Sequence, residues 1–241
     1  GVKELKKISS SHLGRAAEAL AKGLLMGARG NSGVILSQLF RGFAKSVAAH
    51  EHISATQFAA ALQQGVDTAY KAVVKPVEGT ILTVAREAAR HATAIARKIG
   101  DIADLMEEVA RKAKEALAKT PEQLPVLKQV GVVDAGGQGL LFIYEGFAVA
   151  LRQPVGQTTD DFADVADGRP IPPHQAVPQK AQAHIATEEI RFGYCTEFMI
   201  RLAPRRAPGG RFDESRFRNQ LETYGDSVLV VADDQLVKVH I

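Results

Sequence analysis

The chain has 241 residues, 46% of them hydrophobic and 24% charged, enough to bury one large core or two modest ones. A formal net charge of +3 and a pI of about 9.0 provide no basic face for nucleic acid, and no Lys/Arg block interleaves with aromatics. So weak a basic bias suits anionic nucleotides equally well. The single cysteine excludes an internal disulfide and fits a reducing cytoplasm, and no apolar run reaches the length of a membrane span.

The opening residues Gly-Val-Lys-Glu-Leu-Lys-Lys have no apolar core and so no signal-peptide character. The chain does not begin with Met and stops inside a strand-like pattern, so it reads as a fragment, cut at both ends. Apolar residues recur at helical spacing over 13–26. A second helix follows a glycine-rich break, with Leu36, Leu39, Phe40, Phe43 and Val47 on one face. Ser54, with Gln57 three residues on, predicts a capping box opening a third, whose apolar face is Phe58, Leu62, Ala69 and Val73. A fourth carries Ile81, Ala85, Ala88, Ala92, Ile95 and Ile99, and Asp101 caps a fifth with Ile102, Leu105, Met106, Val109 and Leu117 inward. Thr120-Pro121 starts a short sixth, and a seventh covers roughly 137–151 through Leu140, Tyr144, Phe147 and Leu151. Nothing here alternates with period two for long, so residues 1–152 are expected to form an all-α domain, an antiparallel helical bundle.

Residues 153–187 carry five prolines and four aspartates with little apolar content, and are expected to be a flexible linker. Over 192–202 Phe192, Tyr194, Thr196, Phe198, Ile200 and Leu202 share one side of a strand. Residues 213–224 look helical, and 227–231 and 236–241 look like strands. Residues 188–241 therefore read as the opening β-α-β-β of a partial α+β domain.

Three glycine-containing breaks each precede a helix. The first is Gly27-Ala28-Arg29-Gly30-Asn31-Ser32-Gly33, where glycines allow close approach to backbone amides. The next helix adds unpaired N–H donors and the positive end of its dipole. Ser32 contributes a hydroxyl, and Arg29 a fork suited to phosphate. The second break is Val77-Glu78-Gly79-Thr80, and the third is Val133-Asp134-Ala135-Gly136-Gly137-Gln138-Gly139. Each has a plain alternative: Asn31 or Ser32, Thr80, and Asp134 also serve as ordinary helix caps, and spacing alone leaves both uses open. Antiparallel helices with short turns bring alternate loops to one end of a bundle, so the three breaks together are expected to form one anion site. No lysine follows in P-loop spacing.

At these loops the sequence resembles the nucleotide-binding L-subunit domain of dihydroxyacetone kinases and, more closely, the ATP-binding subunit of bacterial fatty acid kinase. The resemblance is carried by the run from Lys22-Gly23-Leu24 through Gly33-Val34-Ile35-Leu36-Ser37-Gln38, and by Val133-Asp134-Ala135-Gly136-Gly137-Gln138-Gly139. Gly193-Tyr194-Cys195-Thr196-Glu197-Phe198 and Lys238-Val239-His240-Ile241 resemble the middle domain of the same kinase component. It implies a barrel of antiparallel helices with ATP at one end. Nucleotide contacts would come from Gly30, Asn31, Ser32 and Gly33, from Gly79 and Thr80, from Leu82 or its neighbours beside the adenine, and from Asp134, Ala135, Gly136 and Gly137. Arg29, Cys195 and His240 are the candidate catalytic side chains.

The implied reaction transfers the ATP γ-phosphoryl group to a fatty acid carboxylate, presented by a separate lipid-binding protein, to give an acyl phosphate. The family's Mg2+ ligands lie in an Asp-Gly-Asp-Thr-Gly motif that this chain lacks and that the resemblance places just before Gly1. The chain alone is therefore expected to be inactive as a kinase. Cys195 and His240 fall on the less apolar faces of their strands, where the resemblance implies a Zn2+-binding or catalytic cluster; a half-buried thiol and a solvated histidine is the plainer reading. A dihydroxyacetone-kinase-like phosphotransferase and a non-catalytic nucleotide-binding adaptor are the alternative functions, and a homodimer is compatible with all of them.

Overall fold

The computed structural model describes residues 1–153, 193–202, 212–225, 227–233 and 235–241. Its helical body comprises α1 (Val2–Leu5), α2 (Leu13–Gly27), α3 (Gly30–Val47), α4 (Ala55–Ala72), α5 (Ile81–Ile95), α6 (Ile102–Ala118), α7 (Thr120–Gln123), α8 (Pro125–Val130) and α9 (Ala135–Arg152). Sequence neighbours pack on one another, α2 on α3, α3 on α4, α4 on α5 and α5 on α6, and α9 closes against α5 and α6. This is the expected all-α bundle. Among the described residues no helix is long and apolar enough to cross a membrane.

Small residues set the helix spacing. A Cβ on Gly42 of α3 would lie 2.7 Å from Gly65 Cα in α4, so neither position has room for a side chain at that crossing. Alanines 85, 88, 89 and 92 of α5 and 110, 113 and 116 of α6 are buried together, with Leu82, Leu105, Met106 and Val109 filling the space between. Ser54 and Gln57 form the predicted reciprocal capping box of α4, and Asp101 caps α6 through the Ala103 amide.

Several expectations are corrected. Helix α5 ends at Ile95 rather than reaching Ile99, because the amides of Lys98 and Ile99 both turn back to the Ile95 carbonyl ahead of Gly100. Helices α1 and α8 are additional; α8 begins at Pro125 and ends at Val130, followed by Gly131, which adopts φ +71. As a further finding, Phe147 and Leu151 of α9 are 39% and 46% exposed and line an apolar cavity of about 340 Å3 with Phe40, Phe43 and Leu20. The expected linker lies outside the described residues apart from Gln153, as does Phe192.

The second unit contains β1 (Glu197–Arg201), α10 (Glu214–Leu221), β2 (Leu229–Ala232) and β3 (Leu236–His240). The strands form an antiparallel sheet in the order β1-β3-β2. The first strand starts later than its alternation suggested, and Tyr194 is 92% exposed. Register places Glu197, His240 and Leu229 in one row across the sheet, and Met199, Lys238 and Val231 in another on the same face. The opposite face, with Val228, Val230, Val237 and Val239, packs against Phe217 and Leu221 of α10. Leu229 and Val231 instead join the core of the helical body, where Val73 bridges Leu229. Arg41 of α3 donates to the Ala232 carbonyl at 2.6 Å. Strands β2 and β3 are thus covered on both faces, while Phe198 and Met199 of β1 are exposed.

Candidate anion site at the bundle pole

The three glycine-bearing corners meet. A Cβ placed on Gly136 would fall 2.9 Å from Ser32 Oγ, 3.2 Å from Asp134 Oδ2 and 3.3 Å from Ile81 Cβ, so the first turns of α3, α5 and α9 share one pole. Each of these helices has at least fifteen residues, and the positive ends of their dipoles converge there.

At the α3 corner the glycine-rich run forms the first turn of the helix itself. The helix begins at Gly30, with Arg29 in the cap position and no side-chain capping bond, so Asn31 and Ser32 do not act as caps. Gly30 has φ +61, a left-handed conformation that favours glycine. Ser32 is exposed, while Asn31 Oδ1 is buried without a hydrogen-bond partner. Gly33 packs on Ala28: a Cβ there would lie 3.3 Å from Ala28 Cα. The Arg29 guanidinium is exposed and donates to the adjacent Ala28 carbonyl at 2.9 Å.

The other two corners are tied down by their caps. Thr80 Oγ1 accepts from the Leu82 amide and donates to the Val77 carbonyl, so the capping use is realised. Gly79, at φ +78, passes so close to Thr120 O and Leu124 Cβ that a Cβ would lie 2.9 Å from each. Its amide bonds Thr83 Oγ1, whose hydroxyl donates to Glu78. Burial raises the Glu78 pKa, but hydrogen bonds from Arg86 and Thr83 outweigh it and hold the carboxyl below its usual range. Tyr70, which touches the same pair, is pushed up to about 12, chiefly by burial. Asp134 caps α9 by accepting the Gly137 amide at 2.6 Å, and its own amide donates to the buried Thr120 hydroxyl. Ala135 is exposed beside it, and Gly137 is buried against Val84 and Leu117. Leu82 is 2% exposed and packs within the helical core one residue after Ile81.

Cys195 and His240 do meet, with Sγ 3.6 Å from each ring nitrogen. Their surroundings differ from a solvated histidine, since His240 is 5% exposed under the helical body while Cys195 is exposed. Glu197, absent from the candidate residues, joins them. Its Oε1 lies 3.2 Å from His240 Nδ1 and accepts the Gly30 amide at 2.6 Å. That amide is the first cause holding the Glu197 carboxyl below its ordinary value. Lys238 is also new: it is 2% exposed, with Nζ 2.5 Å from the Ala28 carbonyl and 3.4 Å from that of Leu25. Burial lowers its pKa. A cavity of about 520 Å3 is lined by Asn31, Cys195, His240 and Tyr224, so the α3 corner and the Cys–His pair share one space.

The arrangement suits an anion: helix starts at a shared pole, an exposed serine hydroxyl, and a cradle at Gly136 that a side chain would fill. It does not make a complete metal cage. Among the described residues no cluster of three His, Cys, Asp or Glu could hold a metal ion, and Cys195 with His240 supplies two donors where a structural zinc takes four.

Comparison with known proteins matches these two units. Residues 1–149 match the DAK2 domain, and residues 191–241 match the FakA-like middle domain of fatty acid kinase. Protein YloV of Bacillus subtilis is 52% identical over 243 residues, covering 100% of this chain and 42% of the relative. Uncharacterized proteins of Staphylococcus haemolyticus and Staphylococcus aureus are 47% and 48% identical over the same coverage. The chain therefore spans 42% of the length of each of these relatives.

Proposed function

From the premise that this chain belongs to the DAK2-domain family, we propose that it is the nucleotide-holding part of a fatty acid kinase. In this reading the whole protein transfers the γ-phosphoryl group of ATP to a fatty acid carboxylate presented by a lipid-binding partner, yielding acyl phosphate. The observation that carries it is the convergence of Ser32, Gly136 and the start of α5 on one pole. Phosphoryl transfer asks a protein mainly to position polyphosphate and neutralise its charge, and helix N-termini do the first of these.

The Gly30, Asn31, Ser32 and Gly33 turn would hold phosphate oxygens through amides and the Ser32 hydroxyl, with Arg29 free to reach an outer phosphate. Thr80 and Asp134 would act chiefly by fixing the helix starts whose amides face the nucleotide. Gly136 would keep the cradle open. Mg2+ would supply charge neutralisation between phosphates, yet the chain contains no Asp-Gly-Asp-Thr-Gly motif to hold it. This chain by itself is accordingly proposed to bind nucleotide without turning it over. Cys195 and His240 would complete a Zn2+ site only with donors beyond the two seen together here.

The decisive experiment is an acyl-hydroxamate assay on the complete protein with ATP, Mg2+, a fatty acid and its fatty-acid-binding partner. Acyl hydroxamate that depends on the partner supports the proposal. Phosphorylation of dihydroxyacetone instead would indicate the sister activity, and ATP binding with no acceptor of either kind would leave a nucleotide-binding adaptor.

A further inference from the structure

We propose that Glu197 is a resident anion of the α3 corner, holding the Gly30 amide that a nucleotide phosphate would take, so that phosphate binding displaces Glu197 and is felt at His240 and Cys195. The proposal rests on reading this pole as a phosphate site. Its basis is one oxygen with two engagements: Glu197 Oε1 lies 2.6 Å from Gly30 N and 3.2 Å from His240 Nδ1. Cys195 Sγ then lies 3.6 Å from both nitrogens of the same ring. A continuous chain of polar contacts thus runs from the first amide of α3 to an exposed thiol in the other unit.

A carboxylate and a phosphate present the same kind of anionic acceptor to a helix N-terminus, and a single N–H at this distance serves one of them at a time. The exchange is local. The sheet cannot withdraw as a body, because Leu229 and Val231 are buried in the helical core and Lys238 is anchored on the carbonyls of α2. Glu197 has room to move: among the described residues it lies on an edge strand of the sheet, β1, and its side chain is 24% exposed. His240, only 6% exposed at its side chain, is held in place by the sheet and loses its carboxylate partner when Glu197 leaves. The thiol beside it is the only one in the chain, so its chemistry reports on this event alone.

The test uses the full chain, ADP as the probe, and two readouts: ADP affinity by calorimetry, and the rate at which Cys195 reacts with an aromatic disulfide. Glu197→Ala should bind ADP about tenfold more tightly than the parent, the scale set by removing a charged competitor from one donor. Glu197→Gln, which keeps an acceptor without the charge, should fall between them and serves if the alanine variant does not fold. Saturating ADP should change the Cys195 rate severalfold in the parent, and Glu197→Ala should show a changed rate that ADP no longer alters. Equal ADP affinity in parent and variants, or a Cys195 rate indifferent to ADP, overturns this inference and leaves the phosphate site standing. If ADP binds neither parent nor variants, the phosphate reading and this inference both fall.

Discussion

Gly136 of α9 and Ser32 of α3 stand so close that a single methyl group on the former would reach to 2.9 Å from the hydroxyl of the latter. Gly136→Ala should therefore act more on binding than on stability. The exposed Ser32 hydroxyl can rotate away, but Asp134 Oδ2 at 3.2 Å and the buried Ile81 Cβ at 3.3 Å must shift slightly, so thermal stability should fall by no more than about 1 kcal/mol. ADP affinity should fall about tenfold, because the cradle is filled. Calorimetry and a thermal melt on the same sample check both halves, and a variant that keeps full ADP affinity would remove Gly136 from the site.

Gly30 tests the backbone alone. Its φ is +61 and nothing lies within 4 Å of a Cβ placed on it, so Gly30→Ala meets no clash and only the left-handed conformation is penalised. The expected loss is about 1–2 kcal/mol of unfolding free energy, with Gly30→Asn losing less. Urea denaturation of the three proteins measures this, and an alanine variant as stable as the parent would contradict the assigned conformation.

Leu229 tests how firmly the sheet is seated. It is 3% exposed and belongs to the core of the helical body although it lies on β2. Leu229→Ala should cost about 2–5 kcal/mol. Val228 and Val230 belong to the separate cluster under α10, so that cluster should survive. Hydrogen exchange is then expected to rise at the start of α3, where Glu197 touches Gly30, before it rises in α10.

Glu108 supplies a pH signature. Hydrogen bonds from Arg111 and then His91 hold its carboxyl down to about 2, against an ordinary 4.5. The folded value lies below the unfolded one, so the stability it contributes is fully present above pH 4.5 and is lost as pH falls from there toward about 2. The group is on the surface and the effect is small. Glu108→Gln should show a flatter stability profile across that window and converge with the parent at its acid end. Melts at several pH values decide this, and parallel profiles would refute it.

Periodicity and capping chemistry made the helical body legible, because both act within a few residues: Ser54 with Gln57, Asp101 with Ala103, and the alanine face of α5 are local patterns. The shared pole was also legible, since alternate loops of an antiparallel bundle must lie together. Residues whose partners are remote in sequence left no such trace. Glu197 reads as an ordinary strand residue until Gly30, 167 positions away, is brought to it. The burial of His240 was misjudged for a related reason. A strand alternating Val with Lys and His looks half solvated, and only the arrival of the helical body covers its polar face. The burial of Leu82 follows from its α5 neighbours Ile81, Val84 and Ala85, which pack in the same core.

The ammonium of Lys238, seated on the carbonyls of Ala28 and Leu25, finishes helix α2 with a group that enters the chain 210 positions after Ala28. During synthesis at the ribosome, the bend between α2 and α3 therefore keeps these carbonyls hydrated until β3 emerges. An intermediate made before β3 would carry its helices in place while the corner at the start of α3 was still unfinished.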